Sequence, residues 1–194
     1  YITLPPWLYI PCMVFIMLAC TNSLNLTDGL DGLAAGVNSI IMIFFTFIAM
    51  AWGDKDMSTF SAIMTGTSVG FLLLNLHPAK VFMGDTGSLA IGGVIAVTAI
   101  IIHKELLIPI LCGVFLVESI SVILQVAYAK HGNKKGLKLR VFKRAPIHDH
   151  FRVLPSQLQE GFKYLITRPR EALHENMITN RFWIITIILA AITI

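Results

Sequence analysis

Leu33-Ala-Ala-Gly-Val-Asn-Ser-Ile-Ile-Met-Ile-Phe-Phe-Thr-Phe-Ile-Ala-Met-Ala-Trp52 runs from end to end without a charged side chain. A helix crossing the hydrocarbon core of a bilayer needs about 20 mostly apolar residues, so this stretch predicts a membrane span. Working outward, five more segments read the same way: Trp7–Ser23, Thr59–Leu76, Ser88–Ile102, Leu106–Ala129 around a lone Glu118, and Phe182–Ile194, which is short for a span and reads as truncated. Composition agrees. Hydrophobic residues make up 56% of the 194 and charged residues 13%, against about 45–50% and about 25% in soluble domains. That balance argues against a soluble protein, a disordered chain or a disulfide scaffold. Cys12, Cys20 and Cys112 lie in apolar runs without metal-ligand spacing and read as packing residues. The expected fold is all-α: a polytopic membrane protein with about six transmembrane helices, residues 1–194 forming one integral-membrane domain. The chain begins on Tyr1 and ends on an apolar run. It is therefore expected to be a piece of a longer protein, and nothing before the first span has the pattern of a signal peptide.

The charges are distributed unevenly. Residues 130–181 hold twelve of the fifteen Lys and Arg against four acids, a balance of +8 within a chain whose net charge is +4. Under the positive-inside tendency this loop is cytoplasmic. Counting back through the spans then puts 22–32 and 77–87 on the same side, and 53–58 and 103–105 outside. Within the basic loop, Pro155-Ser-Gln-Leu-Gln159 has capping-box spacing. Leu158, Phe162, Leu165 and Ile166 follow one helical face, and Pro169 ends the pattern. An amphipathic helix is expected there, lying on an anionic membrane surface or packed on the protein itself.

Three polar segments fall on the side assigned to the cytoplasm. Asn25-Leu-Thr-Asp28-Gly-Leu-Asp31-Gly32 places two acids three residues apart, on one face if helical. Acids beside a span are costly enough that they usually have a task. With Asn25 and Thr27 they suit a hard cation or a polar ligand, and Gly29 and Gly32 permit close backbone approach. A polar turn capping a helix is the plainer alternative. Asn75-Leu-His77-Pro-Ala-Lys80-Val-Phe82-Met-Gly84-Asp85-Thr-Gly87-Ser88 sets one carboxylate in a glycine-rich turn before a span. There it can hold Mg²⁺, or the helix N-terminus can receive an anion. Phe82 is either a stacking platform for a base or an apolar packing residue. Arg144-Ala-Pro146-Ile-His148-Asp149-His150-Phe151 offers two imidazoles for phosphate, metal or protons, although His-x-His alone is a weak metal pattern. Glu118 is expected to face the bundle interior, with Ser119 and Ser121 as possible partners, and no catalytic role falls to it. Carboxylates, histidines and a basic loop at one face suit charged phosphates at a membrane surface, with carboxylate-bound Mg²⁺ as the usual neutraliser of a diphosphate.

Together, Asn25–Ala34, Val81–Ser88, Ala145–Phe151 and Arg181-Phe-Trp-Ile184 resemble the polyprenyl-phosphate N-acetylhexosamine-1-phosphate transferases over essentially the whole chain. The Pro146-Ile-His-x-His-Phe151 segment favours the phospho-N-acetylmuramoyl-pentapeptide branch over the GlcNAc-1-phosphate branch. The resemblance implies transfer of phospho-N-acetylmuramoyl-pentapeptide from UDP to undecaprenyl phosphate, giving lipid I and UMP in peptidoglycan synthesis, with Mg²⁺ as cofactor. It implies a bacterial plasma-membrane protein with its site on the cytoplasmic face. Asp85 and Asp28 match metal and active-site acids. His148 and Asn75 match active-site positions. Asn25, Gly29, Leu30, Asp31 and Phe82 match the nucleotide side, Phe82 stacking on uracil, and His150 is expected on the substrate side.

Two departures stand out. Asp149 replaces the middle of three successive histidines, and Phe151 to Arg181 is longer than the usual spacing. The family has ten spans, of which these are the last six, and the preceding half carries an aspartate pair. The chain alone is therefore expected to lack turnover. Expected partners are UDP-MurNAc-pentapeptide, undecaprenyl phosphate and membrane lipid, with a homodimer compatible and no nucleic acid. The competing readings are the GlcNAc-1-phosphate branch and an ion-coupled transporter using Asp28, Asp31, Asp85 and Glu118. A transporter is disfavoured because such sites lie near the bilayer midplane.

Overall fold

A computed structural model describes residues 5–134 and 136–193. It is an all-α polytopic membrane protein with six helices long and apolar enough to span a bilayer among the described residues. These are α1 (Pro6–Thr27), α2 (Leu33–Ala51), α3 (Lys55–Asn75), α4 (Gly84–Ile101), α6 (Gly113–Asn133) and α8 (Glu175–Ile192). Two short helices, α5 (Ile108–Leu111) and α7 (Ile147–Arg152), and a two-stranded parallel ribbon, β1 (Leu139–Arg140) with β2 (Lys163–Tyr164), complete it.

The helix ends differ from the sequence reading in ways that matter for chemistry. α1 continues past Ser23 to Thr27, so Asn25 lies on its last turn. α3 starts early because the Asp54 carboxylate accepts from Met57 N–H at 3.0 Å, capping the helix. α4 begins at Gly84, which brings Asp85 into its first turn. The fifth span is broken at Cys112 rather than at Glu118: a 3₁₀ turn, Glu105–Leu107, leads into α5, and Gly113 restarts the helix as α6. The last helix is a full 18 residues because the polar stretch from Glu175 joins it, with the His174 ring accepting from Asn176 N–H at its start. Among the described residues, the expected amphipathic helix beyond Pro155 does not form. A 3₁₀ turn at Pro155–Gln157 gives way at Gly161, which takes φ +80°, and Lys163–Tyr164 then pairs with Leu139–Arg140. The competing strand pairing satisfies backbone groups that a single short helix on the surface would leave to its own weak cooperativity.

α2 is the central helix. Its buried Val37, Ile41, Met42 and Phe45 join Leu24 of α1, Ile95, Ala96 and Ala99 of α4, Phe115 of α6 and Ile178 and Phe182 of α8 in one core. Asn38 donates to Ser68 Oγ at 2.7 Å, tying α2 to α3 by a buried polar contact. α1 and α4 approach so closely at Gly92 that a Cβ there would lie 2.6 Å from Thr21 Cα. The outward faces carry Ile10, Phe15 and Leu18 on α1 and Ile184, Ile187 and Ile188 on α8, all exposed, as lipid-facing helices require.

Candidate active site

Six helices joined by alternating connections bring three polar segments to one end of the bundle. The α1–α2 turn, the α3–α4 loop and the segment around α7 meet there, at the C-terminal ends of α1 and α3, the N-terminal ends of α2, α4 and α8, and the first turns of α6 around Glu118. The turn is fixed from three sides. Gly32 adopts φ +72°, a left-handed conformation that glycine takes without strain. Its N–H donates to Asn75 Oδ1 at 3.1 Å, and its carbonyl accepts from Trp183 Nε1 at 3.2 Å. Thr179 Oγ1 donates to the Asp31 carbonyl at 3.2 Å. Asn75 Nδ2 donates to Val81 O at 2.8 Å, so this buried amide joins the two loops and spends its own polar atoms in doing so.

A cavity of about 220 Å³ opens between these loops, lined by Asp28, Gly29, Leu30, Asp31, Asn75, Phe82, Gly84 and Asp85. Seven of the ten residues expected at the site from sequence line it. Asn25 borders it, its Nδ2 donating to Asp85 Oδ1 at 3.0 Å and to Ser88 Oγ at 2.9 Å. Phe82 stands at the rim with 75% of its surface exposed. Burial raises the pKa of the Asp28 carboxyl, and the neighbouring Asp85 carboxylate pushes the same way. Two carboxylates thus share one cavity, with no Lys or Arg among the described residues that line it. Hard oxygen donors lacking a protein countercharge suit Mg²⁺.

Asp31 turns partly away from this pair. Its Oδ2 lies 3.0 Å from His77 Nδ1 and accepts from Ala79 N–H at 3.0 Å. Asp31, His77 and Glu175 each bring one ligand atom within 4.8 Å of the others, although here two of those atoms already bond each other. Arg152 closes the rim, donating to Asp149 at 2.7 Å and to Glu175 at 2.9 Å. Asp149, the departure from the histidine run, therefore holds an arginine.

The two histidines part company. His148, buried, reaches Glu118 Oε2 with Nδ1 at 3.1 Å and donates its backbone N–H to the same oxygen at 3.4 Å. The other edge of the ring abuts Gly29, where a Cβ would collide with Nε2. Glu118 is fully buried in α6. Its partner is His148 rather than Ser119 or Ser121, whose hydroxyls donate to Ser23 Oγ and to the Glu118 carbonyl. This pairing was not legible from sequence, because the partners are thirty positions apart; the only signal was an acid inside a span.

His150 does not reach the cavity. Lys143 N–H donates to its Nδ1 at 3.0 Å, which places the ring proton on Nε2, donated to Arg168 O at 2.7 Å. Both nitrogens are occupied by backbone, so the ring pins the loop. Burial lowers its pKa below the ordinary imidazole value; the Arg168 bond opposes this and the Lys143 charge reinforces it. The unfolded loop therefore takes up a proton more readily than the folded one. The stabilisation is complete above about pH 6.5 and is lost as pH falls below it. Amide exchange at Lys143 is expected to accelerate as pH falls from about 7.5 to about 5.5, after correction for intrinsic rates. Unchanged protection over that window would contradict this role.

Residues 1–103 match the family model described as glycosyl transferase family 4. Among curated relatives, the phospho-N-acetylmuramoyl-pentapeptide-transferase of Phocaeicola vulgatus is 52% identical over 96% of this chain and 48% of its own length. Proteins of that name from Bacteroides thetaiotaomicron and Porphyromonas gingivalis are 50% and 41% identical, each over 97% of this chain and 48% of their own length. The chain spans about half the length of the curated relatives it matches.

Proposed function

The chain belongs to glycosyl transferase family 4, and from that premise we propose that it carries the nucleotide- and metal-binding part of a phospho-N-acetylmuramoyl-pentapeptide transferase. In this reading the phospho-N-acetylmuramoyl-pentapeptide group passes from its uridine nucleotide to an oxygen of undecaprenyl phosphate. The bond to UMP breaks, and lipid I is the product. The protein lies in a bacterial plasma membrane with the cavity and the basic loop facing the cytoplasm.

The observation that carries this reading is the opposed Asp28–Asp85 pair beside exposed Phe82 in one cavity. Asp85 and Asp28 would hold Mg²⁺, which when bound supplies charge neutralisation for the diphosphate. Asn25 keeps the Asp85 carboxylate oriented through its amide. Phe82 stacks on the uracil face, with Gly29 and Leu30 beside it. Asn75 and Asp31 hold the two loops that form the walls. His148, fixed by Glu118, sits behind Gly29 and sets the position of the turn. Positioning and charge stabilisation account for most of such catalysis.

The relatives' names favour the muramoyl-pentapeptide substrate over UDP-GlcNAc. A transporter reading loses its membrane-embedded ion ligand, since Glu118 is already bonded to His148. The test is release of UMP from UDP-MurNAc-pentapeptide in the presence of undecaprenyl phosphate and Mg²⁺, by a protein of the relatives' length containing this chain. UDP-GlcNAc serves as the comparison, and preference for it would overturn the assignment. This chain alone is expected to bind uridine nucleotide without turnover. Phe82→Ala is expected to weaken UMP binding to it by about 1–3 kcal/mol, roughly 5–150-fold, by analogy with base–aromatic stacking. Unchanged affinity by calorimetry would remove Phe82 from the uracil contact.

A further inference from the structure

A second cavity, of about 500 Å³, lies on the flank of α6 and shares no lining residue with the first. One wall is apolar: Val122, Val126 and Ala129, at positions i, i+4 and i+7, form a stripe along the last turns of a membrane-spanning helix. The other wall is basic and carries Lys138, Arg140 and Arg144.

The two walls are held together by one side chain. Gln125 Oε1 accepts from Val141 N–H at 3.0 Å and Phe142 N–H at 2.9 Å, and its Nε2 donates to Phe142 O at 3.2 Å. Gln125 lies eight residues before the end of α6, so the ribbon folds back along the helix by about 12 Å from its end. The fold-back therefore sets the three cations beside the apolar flank of α6, where Ile120, Ile123 and Leu124 are exposed.

Among the described residues, none of the three forms an ion pair. Arg140 donates only to the neutral Gln159, and its guanidinium sits 4.5 Å from the Phe162 ring centroid. Lys138 Nζ lies 5.6 Å from the same ring. Phe162 thus acts as a floor that gathers two cations without neutralising them. The basic residues that suggested a surface helix instead build a pocket.

We propose that this cavity binds one anionic glycerophospholipid of the surrounding bilayer, its phosphate held by Lys138, Arg140 and Arg144 and an acyl chain lying along Val122 and Val126. The charge complementarity selects an anion, and the apolar wall selects an amphiphile over a free ion. Basic pockets beside transmembrane helices at the membrane surface are suited to such headgroups.

The test is native mass spectrometry of the chain released from micelles containing phosphatidylglycerol or phosphatidylcholine of the same acyl chains. The chain is expected to retain one phosphatidylglycerol with about tenfold or greater preference. The triple variant Lys138→Gln, Arg140→Gln, Arg144→Gln is expected to lose that preference. Arg144→Gln alone, at an exposed position with no hydrogen bond among the described residues, is the control for folding and is expected to weaken it in part. Equal retention of the two lipids, or a preference unchanged in the triple variant, would overturn the proposal. Displacement by millimolar inorganic phosphate would reassign the cavity to a free anion. Displacement by an equimolar prenyl phosphate would reassign it to the lipid carrier.

Discussion

Asp85→Asn is expected to reduce Mg²⁺-dependent UMP binding by at least about 100-fold, since loss of even an outer-shell partner typically costs 10–100-fold in metal affinity. The substitution removes a charge and little else. Asparagine keeps an Oδ1 that can still accept from Asn25 Nδ2, the bond the carboxylate makes at 3.0 Å. The local geometry therefore survives while the metal loses an anionic donor. The Asp28 carboxyl, raised by burial and by its neighbour, is relieved of the repulsion. The unfolding temperature in detergent is thus expected to stay level or rise as binding collapses. Near-normal Mg²⁺ dependence would remove Asp85 as a ligand, and a fall in unfolding temperature would give it a structural role.

Glu118→Ala is expected to be the most damaging change away from the cavity. It leaves the His148 backbone N–H and Nδ1 without their shared acceptor inside a buried site. An unsatisfied buried donor costs about 1–3 kcal/mol, and the deleted side chain leaves a hole in α6. For a chain of this size each kcal/mol moves the midpoint by about 2–4 °C, so a fall of several degrees is expected. Glu118→Gln retains an acceptor and should recover much of it. The readout that separates positioning from mere stability is the tautomer of His148 by ¹⁵N shifts. The wild type is expected to carry its proton on Nδ1, facing Glu118, and the alanine variant is expected to lose that bias. A His148 signal identical in both would remove Glu118 from this role.

The spans were legible because each is a nearly uncharged apolar run, and the sharing of one end by the polar segments followed from counting back through those runs. Asn25, Asp28, Asp31 and Asp85 could be singled out because acids and an amide beside a span are costly there without a task, whereas Phe82 stood out only through the family resemblance. What stayed hidden depends on long-range pairing. The role of Glu118 required α6 and α7 to be placed against each other. Trp183 and Thr179, which hold the Asp31–Gly32 turn, lie about 150 positions away from it. The basic loop misled for a related reason: Leu158, Phe162, Leu165 and Ile166 fit a helical period, but the partner strand at Leu139–Arg140 decides the outcome, and a period read from one segment carries no information about its partner. His150 is a second case. Imidazoles near a cluster of acids suggest ligand contact, whereas here the ring replaces missing backbone partners at Lys143 and Arg168.

This chain by itself is expected to form a metal-dependent uridine-nucleotide site at Asp28, Asp85 and Phe82. The most direct measurement is calorimetric titration of UMP into the purified chain in detergent, with Mg²⁺ at millimolar concentration and again after chelation by EDTA. The expected result is one saturable site with Mg²⁺ and none with EDTA. Binding of the same strength under both conditions, or none under either, would contradict it.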